Sequence, residues 1–538
     1  MPVKVAVVGS GIAALAAIRQ LLARGVEVTV FDGGERLDSG RQSVVDRMAG
    51  TDPADWSAED IATIRENPSI RSGGGLPKKL MFGSDFIYAF DRAFAPTETR
   101  LSGRSLSPTF AAGGYSMVWG GAMLPADDCD IADWPVSRAD LAPWYEKVLA
   151  RMPLCGAGGG TLDRAFPTYR SSLGRLEPGP QGERALADLD RVAGRLAERD
   201  MLYGPARLSV WDEAGPNAQP CSGCGLCFAG CPRNSIYSTL ADVEDLARRG
   251  DIRYRPGAIV TRVSQMDASA RLSLVDGAGV EAGDADFDAV FLAAGPLGTT
   301  RILLESAGLL NQPVAMVESQ KFVVPMLRLS DAPGTFETTY PTIASAFIEA
   351  KVPKLSPHWL HVQLTPISDM VVAAMKADGV MASPWGRRLA GPLLRRVMLA
   401  WCGMHSNHSS KVMLSLEPAR DGGRPVLSIG AEISTEGRKL ARRAARHLFG
   451  RMLLARSLLL FPVVKFSNPG SGTHCGGSFP MRRQPSARLD TDLYGRPFGW
   501  SRVFAVDSSV LPSIPGTTLG LNIMANAARI AGTAPLGS

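Results

Sequence analysis

The chain has 538 residues, 45% of them hydrophobic, with 58 Lys plus Arg against 52 Asp plus Glu. That apolar content suits one large buried core or two joined ones and excludes a disordered chain. A net charge of +6 spread over such a length makes no sustained basic field, which excludes nucleic acid as a partner.

The opening "MPVKVAVVGSG" enters an apolar strand at once, with no charged leader region, cleavage site or twin-arginine signal, and predicts a cytoplasmic protein. That strand, a glycine turn, an Ala- and Leu-rich helix ended by Gly25, and a second strand closing at Asp32 form a βαβ unit. Gly9 allows the tight turn, Gly11 lets the backbone approach a pyrophosphate at the helix N-terminus, and Ala14 keeps the helix close to the sheet. Asp32, 23 residues beyond Gly9, is placed to accept hydrogen bonds from ribose hydroxyls. The unit predicts a dinucleotide site.

The stretches "GAGGGTLD" (from Gly156) and "LEPGPQGE" (from Leu176) read as connections. Next come four of the chain's eight cysteines, Cys221, Cys224, Cys227 and Cys231, in "CSGCGLCFAGCP". The spacing C-x2-C-x2-C-x3-C-P is that of bacterial ferredoxins and points to an iron-sulfur cluster, either [3Fe-4S] or [4Fe-4S]. The alternative is a structural loop without metal. Clustered thiols in a long cytosolic chain favour metal over a disulfide framework.

A buried-type strand from Phe287 runs into Ala294 and Gly295 and a helix carrying Thr299 and Arg301. From about Pro313 to Val464 alternating runs such as "KVMLSLEP" and "PVLSIGAEI" predict antiparallel strands. Within them Trp385 to Trp401 pairs two Arg doublets with apolar residues; it reads as a partly buried helix with solvated arginines, the alternative being contact with a membrane surface or an acidic partner. The apolar run from Leu448 is broken by Arg451, Arg456 and Pro462 and reads as a helix and a strand rather than a membrane span. The strand from Arg502, an acidic residue at Asp507 and a terminal Ala-rich helix repeat the nucleotide-domain pattern. One nucleotide domain built from three distant pieces suits a cofactor longer than NAD(P).

These segments, together with "GGYSMVWGGAMLPADDCDIADWPVSRADLAPWYEKV" from Gly113 and "GTHCGGSFPM" from Gly472, resemble the glucose-methanol-choline family of FAD enzymes. The resemblance implies an α/β fold: a Rossmann-like FAD-binding domain assembled from discontinuous segments, plus an antiparallel-sheet substrate domain. It divides the chain into 1–150 (first FAD part), 151–220 (connecting or cap region), 221–312 (cysteine loop and second FAD part), 313–465 (substrate domain) and 466–538 (last FAD part, with the active site). It lays the Gly113 to Gly121 loop, with Gly114, Ser116, Trp119 and Gly120, along the flavin and pyrophosphate. It also brings Val260 to the adenine, Ala294 and Gly295 to the cofactor, and Asp507 to the phosphates and ribityl chain.

By the same resemblance His474 is the base that removes an alcohol's hydroxyl proton, a task suited to a neutral imidazole; a structural histidine in a glycine-rich loop is the other reading. The family's second catalytic His or Asn aligns with Thr518, a departure, because a hydroxyl is no base near neutral pH. Asn522, or His405 and His408, are the candidate substitutes. Relatives with cysteine-rich loops include sugar dehydrogenases. The expected activity is therefore oxidation of an alcohol on a sugar, cyclitol or glycoside, with electrons leaving through the cluster to an acceptor or carrier, a dehydrogenase rather than an oxidase. A redox-silent lyase or isomerase and a noncatalytic electron-transfer flavoprotein are the rival readings.

Overall fold

Val5, Val7 and Val8 alternate with Lys4 and Ala6 in a strand whose last four residues are buried, and the chain turns at Gly9 into a helix that buries Ala13 through Ile18. In this computed structural model the described residues are 2–65, 79–88, 99–101, 106–368, 372, 383–419, 422–459, 464–470 and 474–536. The elements that build the site, in chain order, begin with β1 (Lys4–Val8), α1 (Ile12–Ala23), β2 (Glu27–Asp32), β3 (Met201–Pro205), β4 (Ile252–Pro256), β5 (Ala289–Leu292) and α2 (Gly295–Ser306). They continue with β6 (Lys321–Arg328), β7 (Ala346–Val352), β8 (Ser356–Thr365), β9 (Val397–Gly403), α3 (Thr435–Leu454), β10 (Val503–Ala505) and α4 (Gly520–Thr533).

The chain has an α/β fold. A parallel sheet in the order β10-β5-β1-β2-β4 is drawn from three distant parts of the sequence. Strands buried on both faces read as continuous apolar runs, which is why β1 and β5 were legible as strands. Helices α1 and α4 pack together over this sheet, and Ala14, at 0% exposure, lies in the core they share with it. Gly9 is required twice over: its φ is +110°, and a Cβ would run into the carbonyl of Ala293 at the end of β5.

An antiparallel sheet contains β6-β9-β8-β7-β3 in that order. The edge strand β3 comes from the stretch 151–220, the expected connecting region. Because side chains alternate across a strand, one face of this sheet presents Phe322, Val324, Ala400, Cys402, Val362, Leu364 and Ile348 to Ala441, Ala444, Ala445, Leu448 and Met452 of α3. The other face carries Lys321, Trp401, His361, Gln363 and Glu349, polar or amphipathic residues that need a different partner. A second antiparallel sheet pairs Val314–Glu318, Lys411–Glu417 and Val426–Glu432.

The Trp385 to Trp401 segment divides: a helix spans Pro384–Leu394, and Trp401 belongs to β9. Trp385, Leu389 and Leu393 of that helix are exposed, so its apolar side is less covered than the sequence reading expected. After Leu448 the helix ends at Leu454 and a strand follows at Ser457–Leu459. No helix among the described residues is long and apolar enough to cross a membrane.

Candidate active site

One elongated cavity of about 480 Å³ lies between the parallel sheet and the polar face of the antiparallel sheet. At one end are Asp32 and Val260; the Gly9 to Ala13 turn and the first residues of α2 and α4 form its floor; His474, Lys321 and Trp401 close the other end. Three helices, α1, α2 and α4, begin at this cavity with no side-chain cap and no acidic residue in the first turn. The positive dipole ends of α1 and α4 point to an anionic group between them, while at α2 the Gly295 amide already meets the Asp507 carboxylate.

Of the residues expected at a cofactor, Gly9, Gly11, Asp32, Gly114, Ser116 and Trp119 line the cavity, as do Val260, Ala294, Gly295 and Asp507. Ala14 does not; it packs in the core. Gly120 is also absent from the lining. A Cβ on Gly11 would meet nothing nearer than the Gly113 carbonyl at 3.8 Å, so the space above it belongs to the cavity rather than to protein. Asp32 accepts from Ser10 Oγ at 2.5 Å and Tyr254 Oη at 2.9 Å, and burial raises its carboxyl to about 6. Asp507 accepts from Thr299 Oγ1 at 2.5 Å and from the Ser509 amide at 2.9 Å. Burial pushes that carboxyl above the usual range too. A long cradle with uncapped helix ends at its middle and a carboxylate at one end fits FAD.

His474 lines the far end. Gly472 and Thr473 of its motif lie outside the described residues. Its Nδ1 is buried with no hydrogen-bond partner among the described residues. Burial, and then the charge of Lys321, hold the imidazole well below the ordinary histidine value, so it is neutral at pH 7.

The other residues expected in catalysis sit elsewhere. Thr518 Oγ1 accepts from the Leu124 amide at 2.6 Å, and Asn522 accepts from Tyr145 Oη at 2.6 Å while donating to the Thr518 carbonyl at 3.0 Å. Neither lines the cavity; both tie α4 to the segments around it. His405 stacks on His358 with ring centroids 3.6 Å apart and bonds the Asp130 carbonyl, and His408 bonds Ser356 Oγ. Burial holds His405 down to about 3. Neither is part of the cavity wall.

Residues that sequence reasoning missed come from the antiparallel sheet. Lys321 and Trp401 line the cavity, and the Trp401 Nε1 is buried without a partner among the described residues. Behind them His361 Nδ1 bonds Glu349 Oε1, and His361 Nε2 lies 2.9 Å from Gln363 Nε2. The only available signal was the alternation of β6, β8 and β9, which places these polar side chains on the face opposite the apolar one.

The four cysteines form a tight loop with left-handed Gly223, Gly225 and Gly230. It is clamped by the Phe82 amide on the Ala229 carbonyl at 2.6 Å and by Thr342 Oγ1 on the Gly225 carbonyl at 3.1 Å. Cys227 is buried among Leu124, Leu208 and Trp359, and Cys231 accepts from the Ser235 amide at 3.2 Å. Burial raises Cys221 to about 12 and Cys224 to about 11. Among the described residues no three His, Cys, Asp or Glu side chains are grouped to hold a metal ion, so the thiols as placed do not make the ligand set that either cluster requires. The expectation of an iron-sulfur site at Cys221, Cys224, Cys227 and Cys231 is therefore not carried forward.

No family model matches the chain, and no curated protein matches it in sequence. Solved structures do. It is similar to pyridoxine 4-oxidase from Mesorbium loti, at 14% identity with 98% of each chain covered and a TM-score of 0.56. It is equally similar, at 14% identity, 98% coverage of each chain and a TM-score of 0.56, to an FAD-dependent oxidoreductase from Chaetomium thermophilum solved with a bound fragment. At that identity the likeness establishes the fold, and this chain has the α/β fold of those oxidoreductases.

Proposed function

We propose that the protein is an FAD-dependent oxidoreductase that oxidises a primary or secondary alcohol, with His474 as the base. The observation that carries this reading is one cavity running from Asp32, past the N-terminal ends of three helices, to His474, whose buried Nδ1 has no hydrogen-bond partner among the described residues. Gly9, Gly11, Asp32, Val260, Gly295 and Asp507 would hold the dinucleotide, and the Gly114 to Trp119 segment would lie along it. When bound, FAD supplies the acceptor for the carbon-bound hydrogen and its two electrons.

The protein's own part is to place the hydroxyl and take its proton. His474 is neutral because it is buried and faces a cation, so it is ready to accept a proton at pH 7. With the cysteine loop holding no ligand set, the reason for preferring a dehydrogenase to an oxidase falls away, and the proposal stops at alcohol oxidation. The sugar, cyclitol or glycoside substrate suggested by the resemblance enters as the first set of compounds to try. Anaerobic mixing of the purified flavoprotein with such alcohols tests the reading: bleaching of the flavin supports it, and a flavin that no alcohol reduces argues against it.

A further inference from the structure

The family resemblance expects a second catalytic side chain near the C-terminal helix, yet Thr518 and Asn522 are both engaged in structural bonds outside the cavity. The antiparallel sheet offers another candidate. Its registers pair Lys321 with Gly403, Gly403 with His361, and His361 with Glu349, a single row across β6, β9, β8 and β7. The next row on the same face contains Trp401 and Gln363.

Gly403 is the gap in the row. A Cβ there would lie 2.5 Å from Lys321 Nζ and would also collide with the Gly516 carbonyl. Without it, the lysine lies across its neighbour and reaches to 3.4 Å from that carbonyl, at the wall of the cavity. At the other end of the row Glu349 and His361 are both fully buried and hydrogen-bonded to each other. Burial raises the acid and lowers the base, so the pair shares a proton and has no net charge. Lys321 is the charged member of the row, and Trp401 Nε1 on the same face is a buried donor without an acceptor among the described residues. Buried donors of this kind are nearly always paired, so an oxygen of a bound molecule belongs there.

Resting on the proposed alcohol oxidation, we propose that Lys321 is its second catalytic residue: the ammonium, passing over Gly403, faces the substrate oxygen beside His474 and holds the negative charge that develops there. The O–H bond breaks and its proton goes to His474. The carbon-bound hydrogen leaves with its electron pair to FAD, the C–O bond becomes a carbonyl, and Lys321 keeps its proton throughout. Trp401 Nε1 donates to the same oxygen. Glu349 and His361 are positioning residues that close the row without adding charge. The lysine thus does electrostatically what a second histidine or asparagine does by hydrogen bonding, and its charge also keeps His474 neutral.

Lys321→Met, which keeps length and removes charge, and Lys321→Gln are the test, each purified with FAD. The rate of anaerobic flavin reduction by alcohol should fall about 10²- to 10³-fold, the usual effect of removing one donor from an oxyanion site. Benzoate, an anion read by perturbation of the flavin spectrum, should bind the parent and lose at least about tenfold in affinity in either variant, since an ammonium facing the site is gone. The apparent pKa of the base in the reduction rate should move up, a shift that a merely structural lysine would not cause. Parent-like reduction or unchanged benzoate affinity in whichever variant folds would overturn the assignment. Failure of every alcohol to reduce the parent would instead overturn the proposed function, and the benzoate comparison would still read the Lys321 charge.

Discussion

Lys321 and Gly403 are directly paired across two antiparallel strands, and the missing side chain of Gly403 is what lets the lysine amine lie over its neighbour. Gly403→Ala should therefore displace both Lys321 Nζ and the Gly516 carbonyl. Overpacking of this kind costs about 1–3 kcal/mol of stability. Thermal melting should show that loss, and the FAD-loaded variant should be reduced by alcohol more slowly than the parent.

The turn at Gly11 separates folding from cofactor binding. Because a Cβ there meets only open cavity, Gly11→Leu should fold while occupying the space where the backbone approaches a pyrophosphate. The expected product is a folded apoprotein, detected as native-like circular dichroism with less than a tenth of the parent's FAD by absorbance. Full FAD content in Gly11→Leu would place the pyrophosphate elsewhere.

Thr518 gives the opposite pattern. Thr518→Val removes the acceptor of the buried Leu124 amide, and leaving such a donor unpaired costs about 1–3 kcal/mol. Melting temperature should drop, while the rate of flavin reduction in the FAD-loaded fraction stays that of the parent. A large fall in that rate would return Thr518 to the chemistry.

The two titratable groups at the cavity end, His474 and Lys321, set a pH profile. His474 is held well below the ordinary histidine value, so flavin reduction should stay flat as pH falls through about 6.5 and drop only further down. The same depression gives a stability contribution that is present above about pH 6.5 and is lost as pH falls from there through the folded-state value. On the alkaline side burial is the main cause that brings Lys321 down to about 8. Reduction should therefore weaken above pH 8 as the ammonium is lost.

The cysteine loop makes a compositional prediction. With no group of three metal-ligating side chains among the described residues, anaerobically prepared protein should contain less than one iron per chain. Stoichiometric iron with acid-labile sulfide would restore the cluster and with it a one-electron exit.

The parallel sheet and the glycine turn were legible because they depend on local patterns: apolar runs for strands buried on two faces, and a glycine spacing set by close backbone approach. The motif singles out His474, and that residue lines the cavity. Lys321, His361 and Glu349 were not legible, because their meeting is decided by the register of strands up to about eighty residues apart in sequence, which no local pattern encodes. The cysteine spacing is a different case: it says which thiols are near each other in sequence, whereas a ligand set also needs them grouped in space, and no three such side chains are grouped among the described residues.

The most direct test of the account is anaerobic rapid mixing of FAD-loaded parent and His474→Ala proteins with a panel of primary and secondary alcohols. At least one alcohol should bleach the parent's flavin, and the variant should keep its FAD and be reduced about two to four orders of magnitude more slowly. Equal rates in the two proteins, or a parent whose flavin no alcohol reduces, would contradict it.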